Sequence, residues 1–163
     1  MKERANRFAR VYGVYPCTGG FTFAVVEARA RLVDWGKIDL GIDTDKEFYK
    51  RLHKELERVR PWAIALEARE STKREKKARG RVVLARRAAR HLESQVFSVT
   101  RAMVRVSVGL PQTATRHHIA EEICRVFPEI RHRLPERSIW RRDPRIHIFA
   151  ALSLALAAIL SRT

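Results

Sequence analysis

The residues of this chain that most plainly carry chemistry are arginines and lysines in two runs. Lys73, Arg74, Lys76, Lys77, Arg79 and Arg81 lead into Arg86, Arg87 and Arg90, with only Glu75 and Glu93 interrupting. Arg131, Arg133, Arg137, Trp140, Arg141, Arg142 and Arg145 form the second run. A guanidinium grips a phosphate through a two-pronged fork, so runs of this type suit a polyanion. The ordinary role of a charge run is a solvated face, but so large an excess of one sign makes that role less comfortable. Trp140, between arginines, can stack on an unpaired base or anchor a core. Nothing in either run reads as a base-specific motif, so binding would follow backbone shape. Two titratable residues stand apart from the runs. Glu67 closes the apolar stretch Trp62 to Leu66, where a carboxylate is often plain surface, and His147 lies in an apolar stretch, where a histidine is most often core. His117 and His118 are adjacent, so on a helix they point about 100° apart and do not chelate one ion. With Cys124 seven residues from His117, no tetrahedral zinc set is made.

The elements that position these residues belong to a chain of 163 residues with net charge +16, 45% of it apolar. That length suits one domain over 1–163. The apolar fraction excludes wholesale disorder. Cys17 and Cys124 are the only cysteines and form no CxxC pair, which excludes a disulfide scaffold and points to a reducing, cytoplasmic setting. Met1 to Arg10 is charged without an apolar segment, so no signal peptide is expected. The longest apolar run, Ile146 to Leu160, is about 15 residues, short of the roughly 20 that a spanning helix needs, so no membrane is expected. Residues 1–70 carry 14 basic and 11 acidic side chains, and residues 71–163 carry 20 and 7. A GC-rich genome would explain Arg over Lys, at 26 to 8, but not the scarcity of acids in the second half. The expected partner is nucleic acid, with a ribosomal or acidic-protein partner as the remaining reading.

Hydrophobic periodicity places the elements. Phe8 to Val14, Phe21 to Glu27 and Arg31 to Leu40 read as strands joined by short turns, an antiparallel meander. Thr44 and Glu47 form a capping-box pattern ahead of Phe48, Leu52, Leu56 and Val59, which mark one helical face ended by Pro61. Trp62 to Leu66 suits a strand buried on both faces. Residues 71–97 carry Val82, Ala85, Ala89, Leu92 and Val96 at helical spacing, predicting a long helix with a basic outer face. Ala102, Val104, Val106 and Val108 alternate with Arg101, Met103, Arg105 and Ser107, predicting a fifth strand. Thr115 to Phe127 reads as a helix with Ile119, Ile123 and Val126 inward, and 128–143 as a loop. Asp143-Pro144 reads as the cap and first residue of a last helix, apolar nearly all round and therefore buried. A meander followed by alternating helices and strands makes an α/β protein.

This order resembles the ribonuclease-H-like fold, and within it the RuvC-type Holliday-junction resolvases. Three segments carry the resemblance. VYGVYPCTGGFTFAVVE is similar to the family's Gly-Ile-Asp-Pro-Gly turn and following strand. WAIALEARE is similar to the strand that ends in a catalytic Glu. DPRIHIFAALSLALA is similar to the C-terminal helix with two metal-site residues three positions apart. The resemblance implies a five-stranded mixed sheet, three strands antiparallel and then two parallel, flanked by helices. It also implies two divalent ions, Mg or Mn, that activate a water and stabilise the leaving oxygen of a phosphodiester. Carried over by position, the first-strand Asp falls on Tyr15, the strand-end Glu on Glu67, the first helix ligand on His147 and the second on Ala150. Glu67 matches, and His147 is a type some members use there. Tyr15 and Ala150 replace aspartates.

The resemblance therefore implies a degenerate site. A phenol that ordinarily holds its proton at neutral pH is a poor ligand for a hard ion, and a methyl group is none. Glu67 and His147 supply one negative charge to a site for two dications. Asp143, one helical turn before His147, and Glu70, three residues past Glu67, are the possible substitutes; capping is the ordinary role of Asp143. Tyr15 would stack on a base or plug the vacated pocket. The expectation is a binder of branched or structured DNA, such as a four-way junction, with lost or much reduced nuclease activity. An active metal-dependent endonuclease and an RNA or ribosome-associated binder are the alternatives. A homodimer is implied by analogy with symmetric resolvases.

Overall fold

The computed structural model describes residues 9–68, 76–136 and 145–161. Its centre is a five-stranded sheet in the order β3-β2-β1-β4-β5. Strands β1 (Arg10–Cys17), β2 (Gly20–Glu27) and β3 (Arg31–Asp39) are antiparallel. Strands β4 (Ala63–Glu67) and β5 (Gln95–Val99) run parallel to β1. The β1–β2 connection is a two-residue turn, and Gly19 adopts the left-handed φ of 82° that it requires. Helix α1 (Asp45–Val59) starts at the expected Thr44 cap, whose hydroxyl accepts the Glu47 N–H at 3.2 Å, but the Thr44 N–H donates to Ile42 O at 2.9 Å rather than to the Glu47 side chain that a full capping box would use. It ends at Arg60, in the left-handed region at φ 51°, just before Pro61.

The middle of the chain departs from its sequence reading. Helix α2 covers Lys76–His91 and ends short of the expected 97, with β5 following within the stretch read as helix; residues 71–75 of that stretch lie outside the described residues. The reversal is made by Glu93 at φ 57° and by the Ser94 hydroxyl, which donates to Pro61 O at 2.8 Å. The alternating segment 102–108 is not the fifth strand but most of a short helix, α3 (Arg101–Ser107). The Thr100 hydroxyl accepts the Met103 N–H at 3.1 Å and caps it. Only Val104 of that helix is buried, while Val106 is 71% exposed, so the alternation marks no sheet face. Helix α4 (Arg116–Val126) is capped at Thr115, whose hydroxyl accepts the His118 N–H while His118 returns a bond to the Thr115 backbone. Val126 points outward there, and Phe127 is buried instead. A 3-10 helix, Pro128–Arg133, lies inside the expected loop. Helix α5 (Ile146–Ser161) is the apolar last helix. The Asp143-Pro144 start expected for it lies outside the described residues.

Strand alternation divides the core in two. Tyr12, Val14, Phe21, Phe23, Val25, Ile64 and Leu66 pack on one face against α1 and the alanines of α2. Val11, Ala24, Val26, Ala63 and Ala65 pack on the other against α3, α4 and α5. Helix α5 is buried almost throughout from Ile148 to Ile159, which explains why its sequence has no polar stripe. It lies so close to β1 that a Cβ built on Gly13 would stand 2.2 Å from Ala151 O. Among the described residues no helix is long and apolar enough to cross a membrane.

Candidate nucleic-acid interface

Side chains alternate along a strand, so Tyr15 in β1 and Glu67 in β4 share the face of Val11 and Ala63, the face that α5 covers. The first turn of α5 brings His147 and Ala150 to the same place. All four positions carried over from the resemblance line a single pocket of about 80 Å³. Tyr15 stacks on His147, with ring centroids 5.3 Å apart and planes 25° apart. The buried Thr22 hydroxyl donates to His147 O at 2.7 Å, tying the start of α5 to β2. Both roles open to Tyr15 in the sequence, stacking on a base and plugging the pocket, start from this stacked position beside His147.

The pocket also holds three arginines that the sequence reading did not select, Arg101, Arg105 and Arg116. Arg101 Nε lies 3.5 Å from Glu67 Oε1. Arg105 Nε donates to Ala114 O at 3.1 Å, which fixes its guanidinium. Among the described residues, the pocket lining thus holds one carboxylate and three guanidinium groups, one of them against that carboxylate. The signal was present in Thr100, a good cap directly ahead of Arg101, with Arg105 one helical turn on. The apolar alternation of the same segment masked it.

A wider cleft of about 390 Å³ adjoins this pocket and shares Tyr15 and His147 with it. Lys37, Lys77 and Arg81 line it, together with Asp43. Arg81 was expected on the basic outer face of its helix. It is 1% exposed instead, its guanidinium bonded to Asp43 and stacked over the Phe48 ring at 5.1 Å. Lys77 Nζ contacts Asp43 Oδ2 at 2.8 Å, and the Gly19 N–H donates to the same oxygen at 3.2 Å. The bond from Lys77, then that from Arg81, lowers the Asp43 pKa from 3.8 to about 2. A folded-state pKa below the unfolded one stabilises the fold above the unfolded value and ceases to do so as pH falls through the folded value. Stability should therefore fall between about pH 4 and pH 2 with a component that Asp43→Asn removes, measured by urea denaturation across that range.

The remaining basic residues are dispersed. Lys76, Arg79, Arg87 and Arg90 are exposed on α2, and Arg86 donates to Ser98 Oγ at 2.6 Å. Arg131 and Arg133 are exposed on the 3-10 helix, with Arg133 over the Trp35 ring of β3 at 5.2 Å. Glu70, Lys73, Arg74, Arg137, Trp140, Arg141, Arg142 and Asp143 lie outside the described residues.

The described residues of the pocket do not by themselves fit the two hard dications that the resemblance implies. Among the described residues no three His, Cys, Asp or Glu side chains gather to hold an ion. Glu67 carries a guanidinium against its oxygen, where a metal-ligating carboxylate would face the cation. His147 is stacked under Tyr15.

The fold has clear structural relatives. RuvC of Thermus thermophilus superposes with a TM-score of 0.71 at 21% identity, over 94% of this chain and 95% of that one. The same protein in complex with Holliday junction substrate gives 0.68 over the same shares, also at 21% identity. The Fowlpox virus resolvase, solved with substrate Holliday junction DNA, gives 0.60 at 12% identity, over 94% and 98%. No protein-family model and no curated protein matches the sequence. The chain has the RuvC-type ribonuclease-H-like fold, with the mixed sheet expected from its sequence.

Proposed function

We propose that this protein binds branched or structured DNA and has lost, or nearly lost, the ability to cut it. One observation carries the reading: the four positions where a resolvase of this fold would hold its ions meet in one pocket, yet they are Tyr15, Glu67, His147 and Ala150. The scaffold is kept, while two of the four positions, Tyr15 and Ala150, carry no aspartate. The arginines of the pocket, with Lys37 and Lys77 of the adjoining cleft that shares Tyr15 and His147, offer phosphate contacts around the Tyr15–His147 stack. Each phosphate neutralised on duplex DNA contributes roughly −0.9 to the slope of log K against log salt. In the full reading the protein is a cytoplasmic homodimer, since a junction offers two equivalent strands.

The test uses a labelled four-way junction and a linear duplex of the same sequence, with and without Mg²⁺ or Mn²⁺. Native and denaturing gels are read together. The expected outcome is junction-selective retention with all strands intact. Symmetric metal-dependent nicks would establish an active endonuclease, with ligands drawn from outside the described residues. Preference for a structured RNA over the junction would move the assignment to an RNA binder.

A further inference from the structure

We propose that Arg101 takes the part of the missing cation, so that this pocket binds a backbone phosphate directly and gains nothing from divalent metal. The inference rests on the nucleic-acid reading above and deepens it. In a two-metal site, ions lie between protein carboxylates and substrate phosphate and cancel the repulsion of two anions. Here Glu67, the carboxylate that remains among the described residues, already has a cation, the Arg101 guanidinium 3.5 Å away. That contact is made through Nε. A guanidinium has five N–H donors, so four remain for an anion. The Arg101 side chain is 56% exposed, within reach of a ligand. Arg105, fixed by Ala114 O, and Arg116 bring the charge of these four side chains to a net positive value, reversing the sign a metal site requires. Glu67 becomes a positioning residue in this arrangement: it orients Arg101 and competes with the phosphate for it.

The charge reversal has consequences that a metal site would not share. Junction affinity by fluorescence anisotropy, at matched ionic strength, should be equal or greater in EDTA than in Mg²⁺. Arg101→Gln should weaken binding about tenfold in both buffers, the effect of one charge-assisted hydrogen bond. Arg101→Lys, which keeps the charge and loses the fork, should fall between. Glu67→Gln should tighten binding severalfold, where loss of a metal ligand would weaken it. A second readout does not need nucleic acid. Inorganic pyrophosphate should raise the melting temperature of the wild type, more so for Glu67→Gln, and not at all for Arg101→Gln. Mn²⁺ should show no stoichiometric binding by electron paramagnetic resonance. Affinity that requires Mg²⁺ or Mn²⁺, or a pyrophosphate shift unchanged in Arg101→Gln, would overturn the inference. If no nucleic acid is bound but the pyrophosphate shift depends on Arg101, the functional reading fails and the anion site stands.

Discussion

Replacing Gly13 with alanine should cost at least about 3 kcal/mol of stability, and replacing it with valine should leave little folded protein. A Cβ at this position would lie 2.2 Å from Ala151 O and 3.1 Å from Ala155 Cβ. The nearer atom belongs to the backbone of a helix, so no rotamer change relieves the contact. Helix α5 must withdraw from β1, and its buried face from Ile148 to Ile159 moves with it. Typical domains have only about 5–15 kcal/mol in hand. Urea denaturation of Gly13→Ala, with near-ultraviolet circular dichroism of Gly13→Val, checks the expectation. A midpoint equal to wild type would mean that α5 does not lie on β1 as described.

The second large effect concerns the buried arginine. Asp43→Ala should destabilise the protein by about 3–5 kcal/mol, because it leaves the Arg81 guanidinium buried with only Asp45, at 3.5 Å, near it. Asp43 is itself 28% exposed, so water offsets part of that loss and the lower end of the range is expected. Arg81→Met removes the need for the partner. The long apolar side chain can lie against Phe48, and exchanging a buried ion pair for packing is often neutral or better. The double variant Asp43→Ala, Arg81→Met should therefore be more stable than Asp43→Ala alone. A double variant that is less stable than either single one would show that the pair does not act as described.

Much of the architecture was legible because its elements announce themselves locally. Thr44 and Thr115 are caps followed by apolar residues at helical spacing, and the short turns of the β1–β3 meander interrupt alternating strands. The segment 95–108 was misread because two patterns conflict there. Ala102, Val104, Val106 and Val108 satisfy strand alternation and β-propensity, while the decision rests on one hydroxyl, that of Thr100. The reversal at Glu93 uses a left-handed residue other than glycine, which leaves little trace in sequence. For the candidate site, the resemblance pointed to Tyr15, Glu67, His147 and Ala150, and one pocket is lined by all four. Arg101 was hidden with its helix. The Asp43–Arg81 pair was hidden by distance, since its members are 38 residues apart and one of them reads as surface charge.

The seating of α5 also has a bearing on synthesis. The two faces of the sheet cannot be completed at the same time on the ribosome. Helix α1 follows β3 directly and can cover its face early. The opposite face of β1 and β2, with Val11, Ala24 and Val26, waits for residues 146–161. At roughly 5–20 residues per second, that interval is on the order of ten seconds. Until α3 and α4 emerge the nascent chain displays an apolar sheet surface with a glycine at its centre, and even after them the groove against β1 waits for α5. A nascent-chain chaperone would find its target there, and a chain that stops short of α5 would keep it exposed permanently.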